Sequence, residues 1–317
     1  MTVRKRSRWI QEGRDLLEVV LLPGLAAVLP WGLCFKLYQR MARWNWLYRE
    51  QVDSAHQRAA AMGWGGKDTA HWRWVRRLTI LVDHADHYLG LTRSDRWMQC
   101  HVTVQGAWPE DAQALLLTTF HWGNGYWGLR HARSAGLRPH ALVASLETPT
   151  YLGRWVLTRY ARARNANVAR TLGASVFDTK KQLKNLVQAV RCREPLLAVV
   201  DAPVEMGQNA VTIRLLGCSA RFAGGMVRLI EAHHLSTVVY WTGLNTRTGQ
   251  RFLTILPAIK DHQGDALVAS LYAPLQRLIQ ENAPAWHFWG EAPRIFTTVC
   301  AQPPTAPEPG PPVRSAA

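Results

Sequence analysis

Residues 115–130 read LLLTTFHWGNGYWGLR: an uncharged run ends at Phe120, a histidine follows, and Gly123 and Gly125 punctuate the turn after it. The run has the length and composition of a buried strand. In open α/β sheets ligands bind beyond the carboxyl ends of strands, which is where His121 would then stand. An imidazole titrating near neutrality can take a proton from an alcohol or amine nucleophile. Glycines let backbone amides approach a substrate closely, and such amides, with the Asn124 side chain, could donate to an oxyanion. A histidine merely satisfied at a strand end fits the same context equally well.

The other catalytic templates fail. There is no G-x-S-x-G elbow, no phosphate-binding G-x-x-x-x-G-K-[ST] loop, no G-x-G-x-x-G after a strand and no H-E-x-x-H. Residues 83–87 (DHADH) place His84 and His87 three apart on one helix face, but no third ligand stands near, and a solvated polar face is the commoner reading of such a pair. His233 and His234 read as a polar pair at a helix end, favourable to its dipole when protonated. The five cysteines are odd in number and scattered without metal or redox spacing, so a reducing compartment and a thiol-independent function are expected. The sequence calls for no metal and no cofactor.

The elements that must position His121 follow from the pattern around it. Short apolar runs at 114–120, 140–146, 174–177, 195–200, 211–216, 237–241 and 251–256 alternate with helical periods at 151–167, 180–191, 225–234 and 266–281. This alternation predicts an α/β fold: one domain with a mixed, largely parallel sheet flanked by helices. Residues 68–91 predict a long amphipathic helix ahead of it. The expected division is a basic, tryptophan-rich membrane-anchor segment over 1–50, the α/β domain over 51–300, and a proline-rich tail without a core over 301–317.

Lysine and arginine number 38 against 22 acidic residues, giving a net charge of +16. That excess favours a polyanionic partner. Seven of the fifteen tryptophans lie in the first eighty residues, and tryptophan prefers the membrane–water boundary. No nucleic-acid motif accompanies the charge, so an anionic membrane surface is the expected partner and nucleic acid is not. Residues 19–35 carry no charge but are interrupted by Pro23, Gly24, Pro30 and Gly32, and they lie at the short edge of what spans a bilayer. Basic residues on both flanks place both ends on the cytoplasmic side, which fits a monotopic or re-entrant anchor on the inner membrane. A buried core helix is the plainer alternative.

The sequence HWGNGY at 121–126 resembles the His-(aromatic)-Gly-Asn-Trp-Glu signature of the late acyltransferases of lipid A biosynthesis, the lauroyl and myristoyl transferases of the lysophospholipid acyltransferase superfamily. The likeness extends to residues 176–190, to LLAVVD at 196–201, which looks like the family strand ending in an aspartate, to VTIRLLGCSARFAGG at 211–225, and to WHFWGEAPRIF at 286–296. The resemblance implies acyl transfer from an acyl carrier protein or coenzyme A thioester to a hydroxyl or amine of a membrane lipid or lipid-like acceptor. It makes His121 the general base, the loop amides and Asn124 the oxyanion donors, and Gly123, Arg164, Arg170 and Asp201 binding residues. Arg154, Arg159 and Arg162 join the arginines that could hold a phosphate or an acidic carrier surface, although a solvated helix face is the plainer reading of the five.

One departure stands out. The family pairs its histidine with an acid after four intervening positions, and this chain has Tyr126 there. That carboxylate fixes the imidazole tautomer and stabilises the imidazolium; a tyrosine at that position orients without charge. Either another acid takes the role in space, with Glu147 and Asp201 the candidates by strand-end logic, or catalysis is weak, or it is lost. The last outcome would leave a lipid- or carrier-binding protein on the same scaffold.

Overall fold

The computed structural model describes residues 8–147, 150–205 and 209–297; the proline-rich tail expected at 301–317 lies outside them. The chain begins with α1 (Arg8–Asp15), a π-helical stretch Leu16–Leu21, α2 (Leu22–Val28), α3 (Trp31–Met41), α4 (Arg49–Ala61), α5 (Thr69–Thr92) and the short α6 (Asp95–Gln99). Asp68 starts α5 by accepting from the amide of His71 at 2.9 Å, an N-cap worth about 1 kcal/mol. Pro30 ends the apolar stretch of α2 by imposing extended backbone on Leu29, so the uncharged run becomes two helices. Among the described residues no helix is long and apolar enough to cross a membrane.

The sheet follows: β1 (Val102–Gln105), β2 (Leu115–Thr119), α7 (Tyr126–Ser134), β3 (His140–Val143), α8 (Trp155–Leu172), β4 (Val176–Asp178), α9 (Leu183–Arg191), β5 (Leu196–Val199), β6 (Ala210–Leu215), β7 (Cys218–Ala223), α10 (Gly225–His233), β8 (Ser236–Leu244), β9 (Arg251–Ile255), α11 (Gly264–Glu281) and, after two 3-10 turns, α12 (Ala292–Ile295). Seven strands form one sheet in the order β1-β9-β8-β2-β5-β3-β4, parallel throughout except for the β8–β9 pair, while β6 and β7 form a separate antiparallel ribbon. β2 lies at the centre and is buried at all five positions. A central parallel strand covered on both faces must read as continuously apolar rather than alternating.

Each face of the sheet carries its own core. Leu115 and Leu117 pack with Phe35, Tyr38, Leu78, Leu81 and Trp127 on one side. Leu116 and Phe120 pack with Phe222, Leu271, Leu275 and Trp289 on the other. Helices α2 and α3 therefore belong to the core of the single α/β domain, and the boundary expected near residue 50 does not separate two cores. The first core encloses the Arg251–Asp86 ion pair, with both side chains fully buried and the guanidinium 4.0 Å from the Trp31 ring centre and 4.4 Å from that of Trp127. Burial pushes the Asp86 carboxyl up to about 6 despite the arginine beside it. Cys34, Cys100 and Cys192 are free thiols, whereas Cys218 is disulfide-bonded. The cysteine spacing, read as that of a reducing compartment, gave no sign of this bond.

Candidate active site

Sheet register builds the centre of the site. β2 and β5 are adjacent and parallel with Thr119 opposite Val199, and the Val200 amide extends the ladder to the Thr119 carbonyl at 3.0 Å. Two residues further along each chain stand His121 and Asp201, neighbours at the carboxyl edge. The His121 ring meets Asp201 through Nδ1 at 2.8 Å, and the backbone amide of His121 donates to both carboxylate oxygens at 3.0 and 3.1 Å. The indole Nε1 of Trp286 donates to Oδ2 of the same carboxylate at 2.9 Å. Asp201 is fully buried, so three N–H groups replace its water.

The other ring nitrogen of His121, Nε2, has no partner among the described residues, and the side chain keeps 39% of its surface. The Phe288 ring covers one side of the imidazole, with centroids 4.1 Å apart. Because a carboxylate only accepts, the neutral ring carries its proton on Nδ1 and presents Nε2 as a lone pair. Geometrically this is an oriented imidazole with an open lone pair, an arrangement able to accept a proton.

A strap from the C-terminal region holds this edge. Trp122 and Trp286 form an antiparallel bridge, the Gly123 amide donates to the Ala285 carbonyl at 3.0 Å, and the His287 amide donates to the His121 carbonyl at 2.7 Å. His287 Nε2 donates to the Gly123 carbonyl at 2.8 Å. Arg76, fully buried on α5, donates to the carbonyls of Pro284, Trp286 and His287 at 3.3, 2.9 and 3.1 Å. Burial lowers the Arg76 guanidinium to about 10. Burial, and next the Arg76 charge, push His287 down to about 4, so its ring is neutral near pH 7. Beyond the strap, Arg164 grips Asp83 at 2.9 Å and touches the Tyr160 hydroxyl at 3.3 Å. Burial would raise the Asp83 carboxyl, but Arg164 and then His287 outweigh it and hold it to about 2. Burial takes His84 down to about 3.

Several expected roles change. Tyr126 does not substitute for the acid: its hydroxyl is hydrogen-bonded to Thr171, and its buried ring lies where a Cβ on Gly90 would come within 2.3 Å of it. Glu147 is not the partner either, being exposed and paired with Lys181 at 2.5 Å. Of the two candidate acids, the structure brings Asp201 to the histidine, as an orienting group and not as a binding residue. Two of the loop amides are not free to serve as oxyanion donors, because the Gly123 amide is taken by Ala285 and the Asn124 amide by Thr242. Asn124 Nδ2 donates to the Thr79 carbonyl at 3.2 Å, so this fully buried side chain pins the loop to α5.

Gly123 is required by shape, not by substrate approach. Its φ is +65°, and a Cβ there would lie 2.3 Å from the Thr242 carbonyl oxygen. Arg164 spends its guanidinium on Asp83 within the cluster beside the strap. Arg170 is exposed in the last turn of α8, which runs back toward the amino ends of the strands, away from His121. The His84/His87 pair gathers no third ligand, and among the described residues no group of three or more side chains is arranged to hold a metal ion.

A cavity of about 440 Å3 opens between β3, β4 and α8, lined by Ser145, Glu147, Arg162, Asn165, Asp178 and Lys181 among others. It lies on the same sheet as His121, displaced toward the β4 edge. At the N-terminal end of α8, Arg154 pairs with the buried Asp15 at 2.9 Å, docking α1 there. The junction exposes Trp9, Ile10, Leu152 and Trp155 together with Arg8. Sequence reasoning missed Trp286 and His287 as members of the site. Their only signal was the WHFW string, which says nothing of an indole donating across the strap.

The chain matches no known family model and no characterised protein.

Proposed function

We propose that this protein is a membrane-surface acyltransferase, moving a fatty acyl group from an acyl carrier protein or coenzyme A thioester to a hydroxyl or amine of a lipid-like acceptor. The observation that carries the reading is a single histidine with Nδ1 bound to a buried carboxylate and Nε2 open. Such a base takes the nucleophile's proton as it adds to the thioester carbonyl and returns it to the departing thiolate. The carboxylate keeps the tautomer and stabilises the transient imidazolium. The likeness of 121–126 to the lipid A acyltransferase signature supports the substrate class, and Asp201 removes the reason for favouring a catalytically silent binding protein.

Membrane docking rests on a separate observation. Exposed Trp9, Ile10, Leu152 and Trp155 sit with Arg8 at the junction of α1 and α8, and the N-terminal end of α8 faces the carboxyl edge that carries His121. A lipid surface meeting this patch would deliver an amphiphilic acceptor beside the base, and an anionic leaflet suits the net charge of +16. We place the protein on the cytoplasmic face of the inner membrane, lying on it rather than spanning it.

The test is thiol release from acyl carrier protein and coenzyme A thioesters in mixed micelles with candidate acceptor lipids. Acceptor-dependent release that His121→Ala abolishes is the expected result. Full turnover by His121→Ala would overturn the mechanism.

A further inference from the structure

We propose that the nucleophile accepted at this site is a primary amine in preference to a hydroxyl, held between the imidazoles of His121 and His287. The proposal rests on the acyl-transfer reading and narrows its acceptor.

His121 and His287 stand opposite one another across the Trp122–Trp286 bridge, joined by the 2.7 Å bond from the His287 amide to the His121 carbonyl. The bridge is isolated and His287 leaves it to begin a 3-10 turn, so the two histidines are neighbours through one backbone hydrogen bond. Each ring has one nitrogen committed. His121 Nδ1 gives its hydrogen to Asp201. His287 Nε2 gives its hydrogen to the Gly123 carbonyl, which can only accept, so the neutral ring carries no proton on Nδ1. The two remaining nitrogens, His121 Nε2 and His287 Nδ1, have no partner among the described residues, and neither is sealed from solvent.

In the proposed arrangement these two lone pairs bracket one position. A hydroxyl brings a single hydrogen, so one imidazole would be left facing the oxygen's own lone pair. A primary amine brings two hydrogens, satisfies both rings and keeps its lone pair for the carbonyl carbon. The step balances without a co-reactant. The amine nitrogen adds to the thioester carbon, the adduct gives one N–H proton to His121 Nε2, the C–S bond breaks, and the leaving sulfur takes that proton. The products are an amide and a free thiol, and the second N–H stays on His287 Nδ1 as the amide hydrogen.

The experiment offers lauroyl-coenzyme A with either dodecylamine or dodecanol in the same detergent micelles, corrects for the uncatalysed rates, and identifies products by mass spectrometry. Wild type should favour the amine. His287→Leu should lower the amine-to-alcohol ratio about three- to tenfold, the value of one neutral hydrogen bond. His287→Gln should retain it, since one amide can donate to Gly123 while its oxygen accepts from the amine. His121-dependent turnover with no preference for the amine, or a His287→Leu ratio equal to wild type, would overturn the proposal and leave acyl transfer standing. Absence of His121-dependent turnover with both acceptors would overturn acyl transfer and this proposal together. Should His287→Leu not fold, the wild-type ratio alone decides.

Discussion

Asp201→Asn isolates what the buried carboxylate does, because it preserves shape and removes only acceptor capacity. In the native arrangement Oδ1 accepts from the His121 amide and from Nδ1, while Oδ2 accepts from the His121 amide and the Trp286 indole. An asparagine has one accepting oxygen. If that oxygen takes the Oδ1 place, its NH2 group confronts the indole N–H, donor against donor, at the 2.9 Å separation. If it takes the Oδ2 place, the NH2 faces Nδ1, the proton moves to Nε2, and the lone pair proposed as the base disappears. Both orientations damage the site, and the second would remove the proposed general-base catalysis outright. Loss of that contribution corresponds to about 10²–10⁴ in turnover, or about 3–5 kcal/mol in barrier.

Thiol release from an acyl thioester measures the rate. Histidine 15N chemical shifts measure the tautomer directly, without any choice of acceptor. The expected spectrum has His121 protonated on Nδ1 in the wild type and on Nε2, or as a mixture, in the variant. A variant that keeps both the wild-type tautomer and the wild-type rate would refute the argument. Glu147→Gln is the matched control, since that carboxylate is exposed and engaged with Lys181.

Other outcomes follow from the same contacts. Tyr126→Phe should leave thiol release intact and lower unfolding stability by about 1 kcal/mol through loss of the Thr171 bond; a tenfold fall in rate would return the tyrosine to the chemistry. Arg251→Met should cost about 3–5 kcal/mol in urea unfolding by stranding Asp86, and much of that loss should be recovered when Asp86→Asn is added. Replacing Trp9 and Trp155 by glutamate should weaken co-sedimentation with phosphatidylglycerol vesicles about tenfold or more while leaving the melting temperature near wild type. His287 and His87 are pushed down to about 4 and His84 to about 3, while the unfolded chain takes up these protons from about pH 6.5. Stability is therefore full above 6.5 and falls as pH drops toward 4, by on the order of 3 kcal/mol for His287 alone. Asp86, raised to about 6, acts in the opposite direction over part of that range, so Asp86→Asn should steepen the acid loss measured by thermal melts.

Elements with a strong apolar signature were legible in the sequence. The runs at 114–120, 195–200 and 251–256 became β2, β5 and β9, and the pattern over 68–91 became α5. β1 was not legible: Val102–Gln105 is an exposed edge strand whose four residues carry no apolar run. β7 was hidden because CSARFA mixes a charge into a ribbon that packs on one side only. His121 was found because a glycine turn after a buried strand is a local feature. Its partner could be narrowed to two acids but not chosen, since the choice depends on β2 and β5 being neighbours, and nothing in either segment states strand order. The oxyanion role given to the Gly123 and Asn124 amides failed for a related reason, as Ala285 and Thr242 reach those amides from segments more than a hundred residues away.

Supplying the acid from a neighbouring strand end changes what the histidine depends on. A carboxylate five residues after the histidine would be carried by the same turn, and the pair would move as one unit. Here the pair straddles two strands whose register, Thr119 with Val199, sets the spacing to one inter-strand step of about 4.8 Å. The indole of Trp286 then ties the same carboxylate to the strap, which Arg76 clamps through three carbonyls. Position 126 is thereby released from the chemistry and becomes a core tyrosine in the space that Gly90 leaves open. The orientation of the His121 ring is thus held by the central sheet and the strap rather than by its own loop, so substitutions in the strap should act on the His121 tautomer before they act on the fold.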